Sequence, residues 1–132
     1  MEKTMTESAK ALVETWYGTG NTALLAQDIV WTVLSTFPEG GRYVGRKAVE
    51  EQFFPRLTAH FSEYVTHPHS FTAEGNLVAV TGIYRVRTKQ GRPGDIAFAH
   101  FWTVRDGQIS ALQQVADTAA IQELLAGGEQ AA

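Results

Sequence analysis

Three polar side chains stand where the hydrophobic pattern of this 132-residue chain demands apolar ones: His100, Gln114 and Asp117. His100 lies between Phe98 and Trp102 on one face of a predicted strand. An imidazole in such a wall must be hydrogen-bonded, and it can act as a base, an acid or a donor; the same placement also suits a satisfied core histidine. Gln114 shares a face of the last predicted strand with Leu112 and Ala116. Its amide there either orients a substrate carbonyl or points outward at a sheet edge. Asp117 follows that strand and precedes Thr118-Ala119-Ala120. It reads as the N-cap of a final helix or as a carboxylate at a pocket mouth that takes a proton from carbon or water. Both roles coexist only if one oxygen stays free.

Other chemistries lack their residues. No cysteine is present, which removes disulfides, thiol nucleophiles and thiolate metal sites. His67-Pro68-His69 has the look of a metal pair, but no third ligand is near in sequence, and the proline favours a kinked edge or bulge. His60 falls near a helix end, toward solvent or the pocket mouth. There is no Gly-x-Gly-x-x-Gly, no phosphate loop and no nucleophile elbow. The expected site therefore uses no metal and no cofactor.

The elements that must position these groups follow from composition and period. With 44% apolar and 19% charged residues the chain is globular, and its length suits one domain, residues 1–132, with a core over about 5–126 and a frayed C-terminal tail. The net charge is -3 and no more than two basic residues adjoin, so neither nucleic acid nor an anionic membrane is an expected partner. Met1 to Lys10 lacks the apolar core of a signal, and no apolar run approaches the roughly 18 residues of a membrane helix; a cytoplasmic protein is expected.

Met5, Ala9, Leu12, Val13 and Trp16 form the stripe of a helix over about 6–17, ended by Gly18 and Gly20. Asn21 caps a short helix over 22–26. Residues 28–36 read as a buried strand, 37–41 as a turn, 43–45 as a short extended piece, and 46–58 as a helix interrupted at Pro55. Four strands of a meander follow, over about 63–73, 77–88, 95–105 and 108–116, the last two joined at Asp106-Gly107. A last helix covers 118–126. Helices first and antiparallel strands afterwards make the fold α+β.

Both faces of the strand at Asp95 are largely apolar. Ile96, Phe98, His100, Trp102 and Val104 make one, Ala97, Ala99, Phe101 and Thr103 the other. Helices cover one face; a second copy of the chain, forming a homodimer, is the expected cover of the other. The inner face is expected to bind a small hydrophobic molecule. Its walls would be Trp16, Trp31, Val33, Phe53 and Leu57, with Tyr84, Phe98, Trp102 and Leu112 beside Gln114.

Four stretches carry a resemblance. They are Trp16-Tyr17-Gly18-Thr19-Gly20-Asn21; Asp28-Ile29-Val30-Trp31; residues 41–49 leading into Phe53-Phe54; and residues 99–109 closing on Val115-Ala116-Asp117-Thr118. In these the chain resembles the nuclear transport factor 2-like superfamily, and within it the SnoaL-like, ketosteroid isomerase-related proteins. The resemblance implies a cone-shaped α+β barrel: a curved, mixed, mostly antiparallel sheet wrapped by N-terminal helices around a pocket, commonly in a dimer. It implies activities from double-bond isomerisation and polyketide cyclisation to epoxide hydrolysis and dehydration, or binding alone.

Carried over residue by residue, the resemblance puts Trp16 where isomerases keep a tyrosine donor, with Tyr17 turned away. It puts Thr32 or Val33 at the place of their aspartate base, and His100, or Ala99 after a one-residue slip, at the oxyanion donor. Gln114 matches the second aspartate of the epoxide hydrolases, while Arg85 and Arg87 have no aspartate beside them. Asp117 resembles the acid/base aspartate of the polyketide cyclases.

The expected function is a cofactor-independent isomerase, cyclase or lyase that abstracts a proton next to a carbonyl of a small hydrophobic substrate, with Asp117 as base and His100 as donor. The alternatives are a hydrophobic-ligand-binding domain without catalysis, and an interaction module whose pocket is filled by its tryptophans.

Overall fold

A computed structural model describes residues 4–127. The first helix, α1 (Met5–Thr19), buries Ala9, Val13 and Trp16. It outruns the expected bounds because both ends are capped. The Thr4 hydroxyl accepts the Glu7 N–H, and Gly20, at φ 62°, donates its N–H to the Trp16 carbonyl. Asn21 caps a single 3-10 turn, Thr22–Leu24, and the chain is already extended at Leu25, three residues before the expected start.

Six strands form one sheet: β1 (Leu25–Val33), β2 (Gly41–Val44), β3 (Phe61–Glu74), β4 (Leu77–Thr88), β5 (Pro93–Arg105) and β6 (Gln108–Ala116). Their order is β2-β1-β6-β5-β4-β3. All neighbours are antiparallel except β1 and β6, which run parallel. The sheet is mixed and open, with β2 and β3 as its edges, and does not close into a barrel.

The helical stretch 46–58 comprises α2 (Arg46–Ala48), a π turn (Val49–Phe53) and α3 (Phe54–Thr58). The break expected at Pro55 is taken up one turn earlier. The π turn leaves Pro55 in the opening turn of α3, where no N–H is required. Among the described residues no helix is long and apolar enough to cross a membrane.

His67-Pro68-His69 forms a bulge on the edge strand, with a register shift between Pro68 and Ser70. Among the described residues no three potential ligands converge on a metal site. Opposite the bulge, Gly82 has no room for a side chain. A Cβ there would lie 2.2 Å from the His67 carbonyl oxygen and 2.9 Å from Cζ of Phe98.

A second bulge decides the register that matters most. β5 and β6 meet through a turn with Asp106 and Gly107 both at positive φ, and Arg105 pairs with Gln108. A shift between Thr103 and Val104 then places His100 directly opposite Gln114. Without that extra residue His100 would face Gln113, whose side chain points to the other side of the sheet.

The final helix, α4 (Thr118–Gly127), buries Ile121. Asp117 caps it by accepting the Ala120 N–H at 3.0 Å. The frayed tail is expected from Gly127 onward; Gly127 instead closes α4, and residues 128–132 lie outside those described.

Candidate functional site

The core residues on the inner faces of β1, β4, β5 and β6 do not fill the space under α1 and α3. They leave a cavity of about 320 Å³, at the lower end of the range of small-molecule sites (roughly 300–1,000 Å³). Trp16, Trp31, Phe53, Phe54, Leu57 and Trp102 build its apolar walls, closed by Val33, Phe37 and Leu112. Gly20, Thr22, Tyr64 and Thr66 complete the lining. No aspartate, glutamate, lysine or arginine is among the lining residues.

One end is polar. His100 is 6% exposed, and both of its ring nitrogens meet tyrosine hydroxyls: Nδ1 lies 2.5 Å from Tyr17 Oη and Nε2 lies 2.5 Å from Tyr84 Oη. Trp102 Nε1 donates to Tyr17 Oη at 2.9 Å. Gln114 Nε2 donates to Tyr84 Oη at 3.1 Å, and the orientation of that amide is set because its Oε1 accepts the Leu34 N–H. Phe98 stacks behind the imidazole at 4.1 Å and on Tyr84 at 4.5 Å.

Burial drives the ionisation of this cluster. Desolvation lowers the His100 pKa from 6.5 to about 3, so the ring is neutral at physiological pH. Desolvation likewise raises Tyr17, Tyr64 and Tyr84 above the ordinary phenol range, with hydrogen bonds from Trp102 to Tyr17 and from Gln114 to Tyr84 opposing it in part. The polar end is therefore uncharged, made of three phenols, Tyr17, Tyr64 and Tyr84, and one neutral imidazole.

Counting protons shows what it offers. Trp102 and the Gln114 amide each give a proton to a tyrosine oxygen, because an indole N–H can only donate. Three protons remain, one each on Tyr17, Tyr84 and His100. The two contacts flanking the imidazole use two of them. One phenolic O–H is left over, on a tyrosine that lines the cavity, and it can be donated to an acceptor inside. Trp31 Nε1 is a further buried donor with no partner among the described residues. The rings of Trp16, Phe54 and Trp102 stand edge to face with it.

Of the positions singled out in the sequence, His100, Gln114, Trp16, Trp31, Val33 and Phe53 line the cavity, as do Leu57, Tyr84, Trp102 and Leu112. Phe98 does not; it supports the imidazole from behind. Asp117 does not either. It is exposed and caps α4, and the structure does not bring it to His100. Arg85 points to the exposed face, where it pairs with Asp95 at 3.2 Å. His60 pairs with Glu39 at 2.8 Å near the surface.

Tyr17 is not turned away. It lies four residues beyond Val13 on the buried stripe of α1 and reaches His100 from above. That i, i+4 spacing was the available signal. Phe37, Tyr64, Thr22 and Thr66 also line the cavity unforeseen.

Residues 13–112 match the family model of the SnoaL-like domain. No curated protein matches the chain. Among solved structures it is similar to a nuclear transport factor 2-like protein of unknown function from Burkholderia pseudomallei, with 26% identity, 89% of this chain and 97% of that one covered, and a TM-score of 0.83. It is also similar to a putative SnoaL-like polyketide cyclase from a Jannaschia species, with 15% identity, 95% and 96% covered, and a TM-score of 0.79. A third is a ketosteroid isomerase-like fold protein from Catenulispora acidiphila in complex with trimethylamine, with 16% identity, 86% and 90% covered, and a TM-score of 0.74. At 15% and 16% identity the last two are likenesses of fold.

Proposed function

The chain belongs to the SnoaL-like domain family, and from that premise we propose that it is a receptor for a small, uncharged, largely aromatic or alicyclic molecule held by one acceptor oxygen. The observation that carries this reading is the contrast within one cavity. The walls are aromatic, no formal charge lines them, and the Tyr17–His100–Tyr84 chain has one hydroxyl proton more than its own contacts use. A carboxylate or ammonium ligand would lose its hydration against such walls without a counter-ion. A ketone, quinone or ether oxygen loses little and accepts the spare proton.

Catalysis next to a carbonyl, as an isomerase, cyclase or lyase, is the second reading. The same O–H would stabilise an enolate oxygen. The base is the obstacle. Asp117 is committed to α4 and exposed, and a histidine with a pKa of about 3 abstracts protons from carbon poorly. Binding is the better-supported function.

Native mass spectrometry with an equimolar panel of neutral ketones, carboxylates and amines of similar size tests this. Neutral ketones should be retained; preferential retention of ions would contradict it.

The outer sheet face supports the homodimer. Leu77, Ala79 and Phe101 line an open depression there with Thr32, Thr103 and Gln113, and Phe101 is 48% exposed. A second copy covering that face would remove the ring from water. A monomeric mass by light scattering at micromolar concentration would exclude it.

A further inference from the structure

Tyr17 arrives from α1 and Tyr84 from β4, and each meets a different nitrogen of the same ring at the same distance, 2.5 Å. Each tyrosine is anchored on its far side by a fixed donor, Trp102 for Tyr17 and the Gln114 amide for Tyr84. The arrangement is close to symmetric about the imidazole, and a neutral imidazole is not symmetric: one nitrogen donates and the other accepts.

We propose that His100 is a tautomeric switch that places the one spare hydroxyl proton of the Tyr17–His100–Tyr84 chain on either Tyr17 or Tyr84, so that the acceptor oxygen of a bound ligand selects the tautomer. With the proton on Nε2, the imidazole donates to Tyr84 and accepts from Tyr17. Tyr84 then receives two donors, Gln114 and His100, and its own O–H turns to the cavity. With the proton on Nδ1, the imidazole donates to Tyr17 and accepts from Tyr84. Tyr17 then receives Trp102 and His100, and its O–H is the one set free. No proton is gained or lost in passing from one state to the other. Tyr17 gives its proton to Nδ1, Nε2 gives its proton to Tyr84, and the outward-turned proton of Tyr84 returns to Tyr17 through solvent water, so each group holds one proton in both states and neither leaves a buried N–H without an acceptor on the ring.

Two consequences follow for the ligand. The Tyr17–His100–Tyr84 chain donates one hydrogen bond at a time, so a ligand with one acceptor oxygen satisfies that chain in full. The donor can also appear at two places, so ligands whose oxygens sit at different positions on a similar skeleton are accommodated by moving protons, without moving side chains. His100 in this role is a positioning residue: it acts through the tyrosines.

The tautomer is read without any ligand by nitrogen-15 NMR of histidine-labelled protein, since the protonated and unprotonated ring nitrogens of a neutral imidazole resonate far apart. In Tyr17→Phe, Nδ1 loses its partner. An unpaired buried N–H is costlier than an unpaired lone pair, so the proton should sit on Nε2. In Tyr84→Phe it should sit on Nδ1. The two variants should therefore show opposite tautomers. The same tautomer in both overturns the proposal.

Each variant strands one donor, of Trp102 or Gln114. A wild-type arm therefore accompanies them: titration with fluorenone, a neutral aromatic ketone, should move the two nitrogen signals toward one pure tautomer, and unmoved signals on a protein that binds fluorenone overturn the proposal as well. Because one of the two tyrosine donors survives in either single variant, the double variant, with neither left, should lose more fluorenone affinity than either single one, ~10-fold relative to wild type, the worth of one hydrogen bond. A single variant that loses as much as the double contradicts the switch. The ligand arms rest on the binding function proposed above. Wild-type protein that takes no fluorenone sinks that function, while the ligand-free comparison of the two variants still decides the tautomer proposal.

Discussion

Tyr17, in the last turn of α1, and His100, in the middle of β5, stand 83 positions apart in sequence and meet at 2.5 Å with their ring planes 4° from parallel. The contact ties the first helix to the sheet and at the same time builds the polar end of the cavity. Structural support and the proposed ligand recognition thus share one set of atoms. Changes to the site should be felt in stability, and changes to the scaffold should be felt at the site.

Stability should depend on pH through His100. Its pKa falls from 6.5 in the unfolded chain to about 3 when folded. As pH drops below 6.5 the unfolded state takes up a proton that the native state refuses. The stabilisation is complete above pH 6.5 and is lost progressively as pH approaches about 3, with a slope nearing 1.4 kcal/mol per unit, roughly. Urea unfolding at pH 7.5 and 5.5 should show wild type losing about 1 kcal/mol more than His100→Gln over that interval. The remaining histidines and the carboxylates are common to both proteins. Equal losses would mean that the ring is not buried neutral.

Gly82→Ala should destabilise by about 1–3 kcal/mol, the usual cost of overpacking. The added carbon would lie 2.2 Å from the His67 carbonyl and 2.9 Å from the Phe98 ring. Relief requires the β3 bulge or Phe98 to shift, and Phe98 supports the imidazole at 4.1 Å. The near-ultraviolet circular dichroism of the aromatic cluster should change along with stability. A variant as stable as wild type, with an unchanged aromatic spectrum, would show that the close approach is not maintained in solution.

Asp117→Ala separates cap from base. Loss of the contact to the Ala120 N–H should cost ~1 kcal/mol, while affinity for a cavity ligand stays at the wild-type value, because the carboxylate does not line the cavity. A change in affinity or turnover without a change in stability would restore Asp117 to the site.

Much of this was legible in the sequence, for identifiable reasons. Strand alternation put His100 on a face with Phe98 and Trp102, and it is the inner face. The Asp106-Gly107 pair marked the hairpin that carries that strand into Gln114, and both residues take the positive φ such turns require. The bulge that brings His100 opposite Gln114 left no mark, because an extra residue in a run of Ile109, Ser110 and Ala111 breaks no pattern. Tyr17 was misplaced because Trp16 beside it was the stronger apolar signal, and adjacent helical residues diverge by about 100°; at the end of α1 both directions border the cavity. The parallel pairing of β1 with β6 joins segments far apart in the chain, which local turn signals cannot specify. Asp117 suits a cap and a base alike by residue type, and its absence from the cavity lining tells them apart.

We propose an uncharged cavity that holds its ligand by a hydrogen bond donated from Tyr17 or Tyr84. All three tryptophans of the chain line that cavity, so their fluorescence reports occupancy. Titrations with fluorenone and with fluorene, which has the same rings and no oxygen, compare the acceptor directly. Hydrophobicity alone favours fluorene. The proton supplied by Tyr17 or Tyr84 should reverse that order and make fluorenone the tighter ligand by ~10-fold. Fluorene binding as tightly as fluorenone, or neither compound quenching the tryptophans, would contradict the account.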